Sequence, residues 1–258
     1  MLVFGLTSTE PRASEALAPM SSKLALEQPK GSAPLISVVS SPSDESESLF
    51  EQVPWLYVFC RENLFRDDTE RISRALWPAG PPAPGTKLIE LGCGPGFYSC
   101  RFARRYPQIS VVGVDRSDSQ LASARGRART LGLRNCRFER VNVLDIPYVE
   151  SHFDVLVASR LFTVLAERET ALAEMHRVLQ RGGRCLIAEP RHAFRASVPL
   201  VAMWILARAT HFGNGYREPR KAHVIKFEDF ARLCATQPWK KCECWQDGRY
   251  QYALCEKA

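Results

Sequence analysis

Three glycines, Gly92, Gly94 and Gly96, stand at alternate positions just after the apolar run "KLIEL", residues 87–91, whose fourth member is the acid Glu90. Glycines this dense let a chain turn tightly and leave its amides open to a ligand with no Cβ in the way, above all where a helix starts directly afterwards. A bound nucleotide is one ligand such a turn suits. The spacing differs from the dehydrogenase fingerprint, in which G-x-G-x-x-G would put its third glycine at position 97, here Phe97. Side chains that can take a proton at neutral pH are scattered: His192, His211, His223, Tyr216 and Glu189. His192 ranks first among them as the candidate catalytic residue, because it follows an expected strand end. The nine cysteines, at 60, 93, 100, 136, 185, 234, 242, 244 and 255, contain no CxxC pair. Reduced thiols and no metal site are therefore expected, with "CEC" at 242–244 read as a half-buried strand.

The elements that must position these residues follow from periodicity. Strands are expected at "KLIEL" (87–91), "ISVVGVD" (109–115), "CRFERVNV" (136–143), "FDVLVAS" (153–159) and "RCLIAEP" (184–190). Helices are expected between them at 97–106, 118–131 and 166–180. Alternation of this kind gives an α/β fold, a parallel sheet covered by helices on both faces. Ligands then bind at the carboxyl ends of the strands, where the order of strands reverses, and the turn after the first strand lies there.

The rest of the chain divides by composition. Residues 1–47 are rich in Ser, Pro and Ala and end in "SSPSDESES", which predicts a disordered leader ahead of a single domain at 48–258. That domain reads as a helical cap and linker at 48–85, a core at 86–190, an insert at 191–223 and a last helix and hairpin, turned at "DG", at 224–258. The longest apolar run, "VPLVAMWILA" at 198–207, is too short to span a bilayer, and the start lacks the basic region of a secretory signal. A cytoplasmic protein with no transmembrane segment is expected; its oligomeric state is left open.

Five segments in order carry a resemblance to the class I S-adenosylmethionine-dependent methyltransferases, of the type acting on small molecules. "LIELGCGPG" (88–96) resembles that family's first motif and "VVGVDRS" (111–117) its second strand; "VNVLDIPY" (141–148), "FDVLVASRLF" (153–162) and "ALAEMHRVLQRGGRCLIAEP" (171–190) are similar to the later ones. The resemblance implies S-adenosyl-L-methionine as cofactor. It also implies a Rossmann-like, mostly parallel sheet of seven strands, completed by an antiparallel C-terminal hairpin.

The same resemblance assigns cofactor contacts to Glu90, Gly92, Cys93, Gly94, Gly96, Asp115, Arg116, Asn142, Val143 and Ser159. Asp115, 19 residues after Gly96, would accept both ribose hydroxyls. Arg116 would either stack on adenine or point to solvent, and Glu90 would organise the methionine end. Two departures from the family pattern stand out. Val141-Asn142 replaces a common Gly-Asp, so an amide meets adenine, with Asp145 as the fallback; and Thr163-Val164 stands where small-molecule members often carry histidines.

Outside the core, Tyr57, Trp204 and Tyr216 are the candidate lining of a substrate pocket under a lid formed by 191–223, suited to a small hydrophobic or aromatic acceptor. Both this segment and 48–77 also read as ordinary core packing. Methyl transfer to a small metabolite is the leading function, and RNA methylation or RNA binding on the same fold is the alternative. The latter rests on ten arginines between Phe97 and Arg140 against three acids, a local excess equal to the +7 of the whole chain. Against it, "VASRLF" lacks the Asn-Pro-Pro-aromatic sequence used on base amino groups. A cofactor-binding protein without catalysis is a third class.

Overall fold

Seven strands form one sheet in the order β3-β2-β1-β4-β5-β7-β6 in a computed structural model that describes residues 67–192 and 224–258. In chain order the elements are α1 (Thr69–Leu76), β1 (Lys87–Leu91), α2 (Phe97–Arg105), β2 (Ser110–Asp115), α3 (Asp118–Thr130), β3 (Cys136–Arg140) and β4 (Phe153–Ser159). They continue with α4 (Arg168–Val178), β5 (Leu179–Pro190), α5 (Phe227–Cys234), β6 (Trp239–Asp247) and β7 (Tyr250–Lys257). β1 to β5 pair in parallel and β7 runs antiparallel between β5 and β6. The expected seven-stranded, mostly parallel sheet with a C-terminal hairpin is what the chain forms, and Gly248, at φ 59°, makes its turn.

The inner strands are apolar on both faces because helices cover both. Ile89, Leu91, Leu156 and Ile187 pack with Leu172 and Met175 of α4 and Phe230 of α5. Leu88, Val111, Val157 and Leu186 pack with Ile72 and Leu76 of α1 and Phe102 of α2 on the other face. Phe102, Phe153, Phe162 and Phe230 are wholly enclosed, so truncating any one to alanine would cost about 3–5 kcal/mol.

Two strand boundaries differ from expectation for visible reasons. β3 stops at Arg140, because the Asn142 side-chain oxygen accepts the Leu144 amide (3.1 Å) and folds the chain out of the ladder. β5 begins five residues early, at Leu179 rather than Arg184. Its "RGG" is a bulge within the strand, with Gly182 at φ 72° and the register against β4 shifting between Phe153 and Val155. The expected leader at 1–47, most of the helical cap and nearly all of the insert at 191–223 fall outside the described residues.

Candidate cofactor and acceptor site

Strand order reverses between β1 and β4, and the sequence-predicted residues converge there. Gly92, Gly94 and Gly96 hold φ of 66°, 51° and 71°, the left-handed region in which a side chain is strained. At Gly96 a Cβ would also lie 2.8 Å from the Phe138 ring and 2.9 Å from Ala124, so α2 starts as close to α3 and β3 as a bare backbone allows. The Cys93 amide bonds to the Val114 carbonyl (2.9 Å), tying the turn to β2. Burial, with Glu90 and Asp115 nearby, pushes the Cys93 thiol well above its ordinary range, so this sulfur stays protonated and is no nucleophile.

Glu90 is 3% exposed, on the sheet face that α2 covers. Its carboxylate accepts the Ser99 amide (2.7 Å) and the Ser99 hydroxyl. Ser99 sits in the first turn of α2, where amides have no partner within the helix, so Glu90 caps that helix from the neighbouring strand. Asp115, at the end of β2, bridges the two loops: Oδ2 accepts the Gly94 amide (2.8 Å) and Oδ1 the Ser117 amide (3.0 Å). Each oxygen thus spends one lone pair on the backbone and keeps another for a ligand hydroxyl.

The other predicted contacts are less uniform. Arg116 is exposed, with its carbonyl taken by Arg140 (3.2 Å). Asn142 is exposed but its side-chain oxygen already accepts from Leu144, Asp145 is exposed beside it, and Val143 is buried in the core. Ser159 ends β4, half-buried, opposite Ala188 of β5. His192 is exposed two residues beyond β5, where the amide of its neighbour Arg191 bonds to the Arg249 carbonyl in the hairpin (2.9 Å). Tyr57, Trp204 and Tyr216, with His211 and His223, lie outside the described residues.

Glu189 is the buried acid at the other end of the crevice. It is 1% exposed near the end of β5, on the face opposite Glu90. One oxygen accepts the Phe162 amide (2.8 Å) from the loop after β4, and the other, Oε2, has no hydrogen-bond partner. Burial pushes its carboxyl up to about 7, with the Phe162 amide and the charges of Arg160 and Arg168 pulling the other way. Sequence reasoning did not single out Ser99, Phe138 or Arg160. Arg160 directly follows Ser159 in a left-handed conformation (φ 61°) unusual for a branched-out side chain, and it reaches the Tyr250 hydroxyl at 3.4 Å. None of these three carries a local sequence signal, because each acts through a partner distant in the chain.

The glycine turn, the two strand-end acids and the strand order together match a known arrangement. A family profile described as a methyltransferase domain covers residues 82–247. The chain belongs to this methyltransferase family. It is 33% identical over 107 residues to a ubiquinone/menaquinone biosynthesis C-methyltransferase (UbiE) of Psychromonas ingrahamii, spanning 41% of this chain and 43% of that protein. It is 31% identical over 133 residues to a trans-aconitate 2-methyltransferase of Deinococcus radiodurans, spanning 52% and 49%. The chain thus spans about half the length of the curated relatives it matches. Among solved structures, the fold is similar to Haemonchus contortus phosphoethanolamine N-methyltransferase 2 in complex with S-adenosyl-L-methionine (TM-score 0.62, 13% identity, 80% of this chain and 57% of that one).

Proposed function

We propose that the chain transfers the methyl group of S-adenosyl-L-methionine to a small acceptor. The observation that carries this reading is the Asp115 carboxylate, fixed by two backbone amides at the edge of a turn built from left-handed glycines, with lone pairs left over. In this reading Asp115 holds the ribose hydroxyls, the turn at 92–96, bare of side chains at its three glycines and with its Cys93, Gly94 and Gly96 amides bonded within the protein, lies close along the cofactor, and Glu90, oriented by Ser99, faces the methionine ammonium. Asn142 and Val143 flank adenine, with Arg116 above it. The bound cofactor supplies a methyl group already activated by its sulfonium, so the protein's task is alignment and the exclusion of water. Ser159 and Arg160 stand where the acceptor would approach, and His192 is the nearest exposed base. Tyr57, Trp204 and Tyr216 are retained as the pocket lining.

The relatives named above act, by their names, on quinones and trans-aconitate, which supports a small-molecule acceptor. The arginine-rich face lends the RNA alternative little support. Arg101 and Arg105 meet Asp67 and Glu70, while Arg137 and Arg140 meet Glu139 and Asp118. Arg125 and Arg127 donate to the carbonyls of Phe138 and Pro95. The excess counted within 97–140 omitted two acids that lie before Phe97 in the chain. Among the described residues no helix is long and apolar enough to cross a membrane. The described cysteines are all free thiols, in keeping with a reducing, cytoplasmic setting. We keep 48–258 as one methyltransferase domain.

Calorimetry with S-adenosylmethionine and its demethylated product tests the reading directly. Both should bind the native chain at one site, and Asp115→Ala should weaken both by about 2–4 kcal/mol, roughly thirtyfold or more, through loss of two charge-assisted hydrogen bonds. Unchanged affinity in a folded Asp115→Ala variant would remove Asp115 from the site.

A further inference from the structure

Five of the cysteines meet on one side of the sheet. Cys185 on β5, Cys255 on β7 and Cys242 on β6 lie directly opposite one another in register, Cys244 follows on β6, and Cys234 of α5 packs over them. Among the described residues no group of His, Cys, Asp or Glu is arranged to hold a metal ion, so the cluster's chemistry is that of its thiols. The sulfurs of Cys242 and Cys255 are 3.0 Å apart. Directly opposed residues of an antiparallel pair have Cα atoms roughly 4.5–5.5 Å apart, inside the span of about 4.4–6.8 Å that a disulfide bridges. Their side chains share a face, so only a small rotation of each about its Cα–Cβ bond separates contact from bond.

We propose that Cys242 and Cys255 form a reversible dithiol modification site, oxidised by a hydroperoxide to a disulfide that ties the edge strand β6 to β7. Access sets the roles: Cys242 is partly exposed on the edge strand, whereas Cys255 and Cys234 are fully buried. Cys242 gives up its proton as its sulfur attacks a peroxide oxygen; an S–O bond forms, the O–O bond breaks, and the departing oxygen takes that proton and leaves as water. Cys255 sulfur then attacks Cys242 sulfur, the S–S bond forms, and the S–O bond breaks to release hydroxide, which is protonated to a second water. Two thiols are oxidised by two electrons and one hydrogen peroxide is reduced to two waters. The thiol of Cys234, the leading donor to Cys255, draws the Cys255 sulfur below the ordinary thiol range and is still in place after Cys242 has been oxidised.

The test uses the full chain and hydrogen peroxide at equimolar concentration, followed by alkylation of remaining thiols under denaturing conditions, tryptic digestion and mass spectrometry. The expected product joins the peptides 242–249 and 250–257 through Cys242 and Cys255, disappears on treatment with dithiothreitol, and exceeds any other linked pair about tenfold. Cys244→Ser should keep the link and Cys242→Ser should abolish it. Complete alkylation of Cys242 and Cys255 in the peroxide-treated native chain, irreversible acids at Cys242, or a link that survives in Cys242→Ser would each overturn the assignment. The first two readings need no variant.

Discussion

Glu90 and Glu189 are both acids sealed inside the sheet near the carboxyl ends of their strands, yet their surroundings are opposite. Glu90 is met by an amide and a hydroxyl from one residue, Ser99, whereas Glu189 is met by backbone only, the Phe162 amide at 2.8 Å with a lesser contribution from that of Leu161. Burying a carboxylate is costly unless donors replace its water. Ser99 therefore replaces much of the water that Glu90 loses on burial. Glu189 is a carboxyl that burial shifts to about 7, so its charge is poised to change near neutrality.

The largest effect that would break this contrast is at Glu189. Below pH 4.5 its carboxyl is protonated whether the chain is folded or unfolded. Between 4.5 and about 7 the unfolded chain ionises while the folded one keeps its proton, so stability falls as pH rises through that window. Glu189→Gln keeps the shape without the charge. The variant should gain on the native chain by up to about 3 kcal/mol at pH 8 and by almost nothing at pH 4.5, in paired denaturant titrations. A gain of the same size at both pH values would refute the half-satisfied carboxyl. The same exchange at Glu90 should go the other way: Glu90→Gln weakens the bonds from the Ser99 amide and hydroxyl and should cost about 2 kcal/mol at pH 8. If both variants were stabilised at pH 8, the two acids would not differ as described.

The smallest effect belongs to the arginine-rich surface behind the nucleic-acid alternative. Reversing Arg101 to Glu, next to Asp67, should cost under about 1 kcal/mol, and acceptor turnover should show no steep salt dependence. A steep dependence would restore the nucleic-acid reading and shift attention from the crevice to the α2–β3 face.

The contrast also marks how far the sequence could be read. Alternation placed β1 and β4 to the residue, and glycine spacing located the turn, because both are local patterns. Asp115 could be placed from its strand end alone. Glu189 was visible only as one proton carrier among five, since its burial and its backbone donor depend on a loop 27 residues away. Ser99 was missed for the same reason, its function existing only opposite Glu90. The arginine count within 97–140 did not include Asp67 and Glu70, which pair with Arg101 and Arg105 of α2 from before it in the chain. Bulged β5 was mistaken at its start because "RGG" carries the residues of a loop, while Gly183 in fact sits where a Cβ would strike the Asp154 carbonyl at 2.9 Å.

The ring of Phe138 fills the space that a side chain would need at both Gly96 and Gly113, with separations of 2.7–2.9 Å from either hypothetical Cβ. Three positions far apart in the chain are therefore heritable only as a set. A lineage that enlarges either glycine must first or simultaneously trim the aromatic ring, and at Gly113 it must also move the Ser99 hydroxyl, 2.7 Å from the same Cβ, off its place on Glu90. Gly96, held at φ 71° and also 2.9 Å from Ala124 at its hypothetical Cβ, is still less free, so trimming the ring alone releases neither glycine.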